Sequence, residues 1–255
     1  EDKGEGTAVI TGIEDRQNYI IRKSTHKSAF SHIIAANLDQ AFLVVTLVSP
    51  RTSFGFIDRF LVTAEAYDIP TVLIFNKTDQ YDDDLREYQQ QVIDMYSQIG
   101  YESLSCSAKT GQGLEQIREK MAHKTTLFSG HSGVGKSTLI NVLVPGLELK
   151  TSEISDFSNK GVHTTTFAEM FEVDEDTFII DTPGIKELGV VDMPPAEVSH
   201  YFPEMRELLG QCRFHNCMHV NEPGCAVQEA VREGKIALPR FESYLSIIQG
   251  EDNRK

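Results

Sequence analysis

Eight consecutive residues, 130 to 137, have the composition and order of a loop that binds the phosphates of a nucleotide. They are Gly130, His131, Ser132, Gly133, Val134, Gly135, Lys136 and Ser137. The glycines allow backbone N–H groups to turn toward phosphate oxygens, and the helix expected next adds the positive end of its dipole. We expect Lys136 to contact the β- and γ-phosphates, Ser137 to ligate Mg²⁺ and Thr138 to complete the site. A glycine-rich turn without a ligand is the weaker alternative, because this segment lies between a predicted strand and a predicted helix.

Two further motifs favour guanine as the base. Asn76-Lys77-Thr78-Asp79 follows a predicted strand, and the Asp79 carboxylate can accept hydrogen bonds from the ring N–H and the exocyclic amine of guanine. Adenine does not offer these two donors together, so such a site discriminates strongly. Asn76 would brace the loop, and the Lys77 stem would cover the base. Ser107-Ala108-Lys109, also at a strand end, would offer a backbone N–H to the guanine carbonyl. Each motif is weak by itself, but together with the phosphate loop they specify guanine.

A second pair of loops would respond to the γ-phosphate. In Asp181-Thr182-Pro183-Gly184, Asp181 would hold Mg²⁺ through water and Gly184 would donate its N–H to the γ-phosphate. The polar loop before it contains His163 and three consecutive threonines, one of which would complete the Mg²⁺ shell. Thr164, Thr165 and Thr166 are equal candidates for this role. Loops of this kind order around the γ-phosphate and relax when it is lost.

The order of the motifs along the chain is unusual. The base-reading motifs come first, the phosphate loop follows, and the two switch loops come last. Small GTPases ordinarily run from phosphate loop to switches to base motifs. Joining the ordinary ends through residues 122–124 and opening the chain after the second switch produces this order without moving any strand in space. The second switch then leads directly into residues 190–255, so a nucleotide-driven movement would act on them.

Four residues near the C-terminus have the types and spacing of a structural zinc site. Cys212, Cys217, His219 and Cys225 lie within 14 residues, among turn-forming proline and glycine. A Cys₃His set suits a closed tetrahedral site for one structural zinc ion. The alternatives are buried free thiols, a disulfide, or a set in which His215 replaces His219. The isolated Cys106 lies in an apolar strand and is interpreted as a core residue.

Between residues 35 and 190, predicted strands alternate with predicted helices, which is typical of a mostly parallel sheet covered by helices on both faces. Ligands of such sheets bind beyond the carboxyl ends of the strands. Two β-rich runs before the sheet indicate that the chain begins partway through a small β domain. The predicted strands are 7–13, 18–22, 41–48, 70–75, 103–107, 125–128 and 178–180, and the predicted helices are 53–67, 84–99, 114–121, 226–234 and 239–248.

Composition and charge limit the class of protein. Of the 255 residues, 40% are hydrophobic and 24% charged, as in a globular chain of about two domains. The chain contains no run of 18 uncharged apolar residues and starts without the pattern of a signal peptide, so we expect a soluble cytoplasmic protein with no membrane partner. A net charge of −14 ordinarily disfavours nucleic acid as a partner. The acidic excess lies between residues 35 and 198, however, so the two nearly neutral ends could contact RNA.

The permuted order, the segment 130–138, the threonines after His163 and the cysteine cluster together resemble the RsgA (YjeQ) family of bacterial GTPases, which depend on the small ribosomal subunit. The resemblance covers essentially the whole chain. It implies the C-terminal part of an OB-fold domain at 1–34, a circularly permuted GTPase domain at 35–190 and a small helical zinc-binding domain at 191–255. It also implies that GTP is hydrolysed to GDP and phosphate during late maturation of the small subunit, with contacts to 16S rRNA. We expect a monomer.

The group that positions the attacking water differs from that of many GTPases. Ile185 follows Gly184 where many GTPases have a glutamine, and Gly133 stands where potassium-activated relatives have an asparagine. His163 is the remaining catalytic candidate, and a packing role for this loop histidine is the alternative. Two other functions stay open: a GTP-controlled scaffold that binds rRNA and hydrolyses GTP only incidentally, and a P-loop ATPase with a zinc ribbon.

Overall fold

A six-stranded sheet lies at the centre of the protein. The computed structural model describes residues 10–22, 32–144, 146–149, 168–182 and 193–250. The strands are β1 Tyr19–Arg22, β2 His32–Ala36, β3 Gln40–Val45, β4 Thr71–Phe75, β5 Glu102–Ser105, β6 Thr125–Ser129, β7 Glu169–Asp174 and β8 Thr177–Asp181. The helices are α1 Phe54–Ala66, α2 Asp83–Ser97, α3 Leu114–Met121, α4 Lys136–Leu143, α5 Pro203–Arg206, α6 Ala226–Arg232 and α7 Leu238–Ile248. Short 3-10 helices lie at Thr78–Gln80 and Val198–Tyr201.

The strand order of the central sheet is β5-β4-β3-β6-β8-β7. Neighbouring strands are parallel except β7, which runs antiparallel to β8. Both β3 and β4 are buried along their whole length, as expected for apolar strands that are covered on both faces. The predicted mostly parallel sheet is therefore confirmed.

Helices cover both faces of this sheet because alternate side chains of a strand point to opposite sides. Leu43 and Val45 of β3 pack with α1 and α2 in one core. Phe42 and Val44 pack with α3 and α4 in the other. The two-sided packing fixes β3 in the middle of the molecule, and with it the loop that leads from β3 to α1.

The C-terminal helices form a third core on the outer side of α1. Phe202, Val227 and Tyr244 are buried together there, and Val62 of α1 belongs to the same cluster. Polar contacts flank the cluster: the Arg59 Nη2 atom donates to the Ser246 hydroxyl over 3.1 Å. One face of α1 thus supports the sheet, while the other carries the C-terminal unit.

The N-terminal ribbon differs from the sequence prediction. Strand β1 agrees with the predicted run at 18–22, and it pairs antiparallel with β2. Residues 10–13 are the described part of that run, and they are not in a strand. Ile10 and Ile13 are 83% and 91% exposed, so neither contributes to a buried face that would stabilise a strand.

The ribbon packs against the central domain. Ile20 of β1 is buried in the core formed with α1 and α2, and the Tyr19 ring lies 4.8 Å from the Tyr67 ring at the end of α1. Leu38 is held by the Asn18 side chain, whose Oδ1 accepts from the Leu38 N–H over 2.7 Å. The predicted domain boundary between residues 34 and 35 lies within β2.

Most other predicted elements are confirmed to within a few residues. Strand β3 ends three residues earlier than predicted, because Thr46 begins a turn in which its carbonyl accepts from the Thr52 N–H over 2.7 Å. Strands β2 and β7 were not predicted. Strand β7 alternates acidic and apolar residues at the edge of the sheet, where partial exposure removes the apolar signal. Among the described helices, none combines the length and the apolar character needed to cross a bilayer.

Candidate nucleotide-binding site and metal centre

Five parallel strands end at one edge of the sheet. Strands β3, β4, β5, β6 and β8 are parallel to one another, so their carboxyl ends lie on the same side. The predicted base motifs and the phosphate loop follow β4, β5 and β6, and Asp181 is the last residue of β8. The edge is the position where open α/β sheets bind their ligands.

Two neighbouring glycines of the phosphate loop have left-handed backbone conformations. Gly133 and Gly135 have φ values of 87° and 85°, in the left-handed region that favours glycine. A Cβ atom added to Gly135 would lie 2.7 Å from the Nδ2 atom of Asn76. The base motif therefore packs directly on the phosphate loop, and a side chain at position 135 would separate the two.

Asn76 joins three of the predicted motifs. Its Nδ2 atom donates to the Val134 carbonyl over 2.9 Å, and its Oδ1 atom accepts from the Ala108 N–H over 3.1 Å. Beside it, the Lys77 Nζ atom donates to the Gly133 carbonyl over 2.7 Å. Because Asn76 is only 1% exposed, these bonds are shielded from water and fix the loops relative to one another.

The two base motifs also contact each other directly. The buried Ser107 hydroxyl donates to the Asp79 Oδ1 atom over 2.6 Å, which leaves the exposed carboxylate oriented by a fixed partner. The Thr78 hydroxyl donates to the Cys106 carbonyl over 2.9 Å. Burial lowers the pKa of Lys77, and the nearby Asp79 carboxylate opposes this shift. The Lys109 side chain is exposed at the end of the second motif.

The lysine of the phosphate loop lies beside the first acidic switch residue. Lys136 at the start of α4 is 7% exposed, and its Nζ atom forms an ion pair with Asp181 at the end of β8. Thr182, the next residue, is fully buried and donates its hydroxyl to the Phe128 carbonyl over 3.0 Å. Ser137 is half-buried and Thr138 is exposed on α4.

Sequence reasoning missed the loop between β3 and α1. Its Ser49 carbonyl accepts from the Lys77 Nζ atom over 2.5 Å, and its Thr52 hydroxyl lies 2.8 Å from the Nε2 atom of His131. Tyr81 supports the same region, since its hydroxyl donates to the Asn76 carbonyl and accepts from the N–H of Leu47, both over 3.1 Å. The signal that could have found this loop is its position after a fully buried parallel strand.

Several predicted residues lie outside the described part of the chain. They are His163, Thr164, Thr165, Thr166, Gly184 and Ile185. The described residues therefore include the two base motifs, the phosphate loop and Asp181. The switch-loop residues predicted to contact the γ-phosphate lie outside the described part of the chain.

The four predicted zinc ligands come together in the C-terminal unit. Cys212, Cys217, His219 and Cys225 place one ligand atom each within 4.8 Å of the others. The Nδ1 atom of His219 lies 3.3 Å from the Cys225 sulfur and 3.6 Å from the Cys212 sulfur. This group could hold a metal ion, and three thiolates with one imidazole suit zinc in a closed site. His215 is exposed and is not part of the group.

The loop that carries these ligands is ordered by one carboxylate. Glu222 accepts hydrogen bonds from the N–H groups of Met218, Val220 and Asn221, over 2.8, 2.8 and 3.0 Å. The Tyr244 hydroxyl donates to the Met218 carbonyl over 2.8 Å. These bonds surround His219, whose ring is buried, and leave its Nδ1 atom facing the sulfurs.

The sheet order, with base loops that precede the phosphate loop along the chain, defines the class: this is a circularly permuted P-loop GTPase fold. A solved structure described as YloQ, a circularly permuted GTPase, is similar to it with a TM-score of 0.74 and 29% identity, over 96% of this chain and 75% of that one. A family model described as RsgA GTPase matches residues 13–191, and the chain belongs to this family.

Individual relatives agree with that assignment. A small ribosomal subunit biogenesis GTPase RsgA from Bacteroides fragilis is 57% identical over 251 residues, which cover 98% of this chain and 81% of the relative. The protein of the same description from Christiangramia forsetii is 52% identical over 249 residues, 98% of this chain and 79% of that one. The crystal structure of YjeQ from Thermotoga maritima has a TM-score of 0.77 and 37% identity, covering 96% of this chain and 78% of that one.

Proposed function

We propose that this protein hydrolyses GTP to GDP and phosphate during late maturation of the small ribosomal subunit. The observation that best supports the nucleotide assignment is the buried Asn76 side chain, which bonds to the phosphate loop and to the second base loop. Bonds of this kind fix the distance between a base site and a phosphate site before the ligand arrives. Membership of the RsgA GTPase family supports the reaction, and the description of the relatives supports its ribosomal setting.

In this proposal the base is read by Asp79. Its carboxylate accepts from the ring N–H and the exocyclic amine of guanine, and the bond from Ser107 holds it in the required orientation. The Ala108 N–H is bonded to Asn76, so the N–H of Lys109 is assigned to the guanine carbonyl. The Lys77 stem covers the base, and Thr78 fixes the turn through its bond to the Cys106 carbonyl.

The phosphates are bound by the loop from Gly130 to Ser137. Its backbone N–H groups surround the phosphate chain and lie closest to the β-phosphate, and Lys136 moves from its ion pair with Asp181 toward the β- and γ-oxygens. Mg²⁺, bound with the nucleotide, neutralises phosphate charge. The chain would hold it through the Ser137 hydroxyl, Asp181 by way of water, and one of Thr164, Thr165 and Thr166. Gly184 donates its N–H to the γ-phosphate.

His163 is the proposed group that positions the attacking water, because Ile185 occupies the place where many GTPases have glutamine. Phosphoryl transfer depends mostly on positioning and charge stabilisation, so a chain without a fixed water-positioning group hydrolyses GTP slowly. Contact with the small subunit would order the loop that contains His163 and the three threonines over the γ-phosphate.

The metal in the C-terminal unit is proposed to be one structural zinc ion. The support is the donor set of Cys212, Cys217, His219 and Cys225 and the ordering of its loop by Glu222. Zinc there would stabilise the fold of the unit and would not take part in hydrolysis. The second switch immediately precedes this unit in the chain, so a movement of the switch would be transmitted to the unit directly.

The partner is proposed to be the small ribosomal subunit, contacted through 16S rRNA, with the protein acting as a cytoplasmic monomer. The acidic excess lies in the central part of the chain, so the N-terminal residues and the C-terminal unit are the parts that can approach RNA at lower electrostatic cost. Residues 1–34 would belong to an OB-fold domain, and 35–190 and 191–255 to the GTPase and zinc-binding domains.

Competition binding tests the nucleotide assignment. A fluorescent GDP analogue bound to the purified protein should be displaced by GDP and GTP, and not by ADP or ATP at the same concentrations. Phosphate release from GTP should continue through several turnovers. Displacement by ATP as well as GTP would indicate an ATPase, whereas tight GTP binding without turnover, even with small subunits present, would indicate a GTP-controlled scaffold.

A further inference from the structure

Three consecutive carbonyls of the phosphate loop are each bonded to a side chain. The Ser132 carbonyl lies 3.0 Å from the Nδ1 atom of His131, the Gly133 carbonyl accepts from Lys77, and the Val134 carbonyl accepts from Asn76. A carbonyl that is hydrogen-bonded to a side chain outside the loop cannot at the same time point toward the inside of the loop. The inner face of the loop is then left to the backbone N–H groups, which is the arrangement that binds an anion.

The bond to Ser132 determines which nitrogen of His131 carries the proton. A carbonyl oxygen only accepts, so the Nδ1 atom must be the donor. In the neutral ring the Nε2 atom is then an acceptor, and it faces the Thr52 hydroxyl over 2.8 Å. The Thr52 oxygen in turn accepts from the Thr46 N–H over 3.0 Å. With His131 neutral, the Thr52 hydroxyl donates to the Nε2 atom while its oxygen accepts from Thr46; protonation of Nε2 would remove this acceptor from the Thr52 hydroxyl.

The surroundings of His131 favour this neutral form. Its ring meets the Phe56 ring edge-on, with 5.3 Å between the centroids. Burial lowers the pKa of His131; the hydrogen bond to the Ser132 carbonyl opposes this shift, and the positive charge of Lys77 on the neighbouring base loop adds to it. Thr52, Thr46 and Phe56 are uncharged. The histidine therefore remains neutral at pH 7 and keeps its acceptor toward Thr52.

We propose that His131 is a positioning residue of the phosphate loop, which holds the Ser132 carbonyl outward and ties the loop to the segment between β3 and α1 through Thr52. The imidazole acts on the loop and not on the nucleotide. Its contribution should be to the binding of the β-phosphate, which the loop surrounds, and not to recognition of the base, which Asp79 performs. The inference rests on the proposed nucleotide-binding function.

Three substitutions of His131 separate the two bonds of the imidazole. His131→Asn places an amide N–H near the position of Nδ1 and so keeps the donor to Ser132, but loses the contact with Thr52. His131→Gln reaches Thr52 and loses the donor to Ser132. His131→Ala loses both. Thr52→Ser and Thr52→Val form a second pair, in which serine keeps the hydroxyl and valine keeps the shape without it.

GMP lacks the β-phosphate, so the affinities for GDP and GMP can be compared. A general structural defect would weaken the binding of both nucleotides, whereas the proposed role affects GDP alone. We expect His131→Ala, which loses both bonds, to weaken GDP binding about tenfold, equivalent to about 1.4 kcal/mol, with GMP binding within about twofold of the parent. His131→Asn should recover most of the GDP affinity. His131→Gln, which loses the donor to Ser132, should not recover it. Thr52→Val keeps the bond to Ser132, as His131→Asn does, and should weaken GDP binding only slightly, while Thr52→Ser should leave it unchanged.

The outcomes distinguish this inference from the proposed function. If the parent binds GDP and every His131 variant binds it within about twofold as well, the nucleotide assignment stands and the positioning role is wrong. Equal losses of GDP and GMP affinity, in step with a lower melting temperature, would also contradict it. Should His131→Ala fail to fold, the comparison of His131→Asn with His131→Gln still decides. A parent that binds neither nucleotide overturns both proposals.

Discussion

The Arg240 guanidinium lies 2.6 Å from the Asp58 carboxylate, although 182 residues separate the two along the chain. Its Nε atom bonds to Glu204 over 2.7 Å, and its charged carbon lies 4.5 Å from the centre of the Phe202 ring. The Asp58 Oδ1 atom also accepts from the Tyr96 hydroxyl. This buried network attaches the C-terminal unit to α1 and α2, so the unit that contains the Cys₃His group is packed onto the GTPase domain and is not only linked to it through the chain.

Breaking this network should destabilise the protein strongly. Arg240→Met removes the cation and leaves two buried carboxylates unpaired, and loss of one partner of a buried ion pair costs about 3–5 kcal/mol. Denaturant unfolding followed by the fluorescence of the tyrosines measures the change. The control is Arg206→Met, since the Arg206–Glu65 pair is largely exposed and should contribute at most about 1 kcal/mol. A similar loss of stability in both variants would contradict a special structural role for the buried network.

The second prediction concerns base recognition. Asp79→Asn should weaken GTP binding and shift the preference toward xanthosine triphosphate, because an amide can donate to the second carbonyl of xanthine. The expected change in the ratio of the two affinities is at least about tenfold, the effect of exchanging one buried donor or acceptor. Competition binding measures it. Asp82→Asn is the matched control, because asparagine also caps a helix well and Asp82 caps α2.

An unchanged preference for GTP over xanthosine triphosphate in Asp79→Asn would exclude Asp79 from the base site. A shift of the same size in Asp82→Asn would show that the measurement responds to the loop as a whole and not to the carboxylate that reads the base.

The third prediction is one zinc ion per chain. Metal analysis of freshly purified protein should give about one equivalent, and Cys225→Ser should lower it, because a structural site needs all four ligands. Cys106→Ala is the control and should leave the zinc content unchanged, since Cys106 lies beside Asn76 and not in the metal group. A chelator should loosen residues 199–250 while GDP binding persists. Far less than one equivalent in the parent, with a normal helix content, would contradict the assignment.

Cys106 should also produce a pH dependence of stability under alkaline conditions. Its side chain is fully buried, and burial raises the pKa of the Cys106 thiol to about 12. The unfolded chain releases this proton near about pH 8.5, so between the two values the folded state binds the extra proton. The contribution to the free energy of unfolding is complete below about pH 8.5 and falls above it by up to about 1.4 kcal/mol per pH unit.

The free energy of unfolding, measured between about pH 8 and pH 11 for the parent and for Cys106→Ala, tests this sign. The tyrosines also titrate in this range, but they are present in both proteins and so do not affect the comparison. The parent should lose stability more steeply as the pH rises. Parallel curves would mean that the thiol is not buried in the native protein.

The sequence predicted those site residues that belong to a short motif at the end of a strand. Asn76, Asp79 and Lys136 follow buried parallel strands and Asp181 is the last residue of another, and such strands bring their carboxyl ends to one edge whatever the connections between them. The spacing of the cysteines likewise predicted a cluster that the fold brings together. In both cases local sequence determines the three-dimensional neighbours.

Contacts between distant segments could not be predicted in this way. The partner of Arg240 is set by how α7 packs on α1, and that packing leaves no local pattern in sequence. Thr52 and His131 meet because β3 and β6 are neighbours in the sheet, an adjacency that the permuted order hides. Strand β7 escaped prediction because an exposed edge strand rich in acidic residues lacks an apolar run.

The most direct test of the account is multiple-turnover GTP hydrolysis measured with and without purified small ribosomal subunits. Turnover of the isolated protein should be slow and should rise steeply with subunits, since activation by groups ordered in trans can reach about 10³–10⁵-fold. His163→Ala should lose most of this stimulation while its GTP affinity stays near that of the parent, because the role belongs to the transition state. A variant stimulated as strongly as the parent would make His163 a packing residue. A parent that hydrolyses GTP equally fast with and without subunits would contradict the ribosome-coupled mechanism altogether.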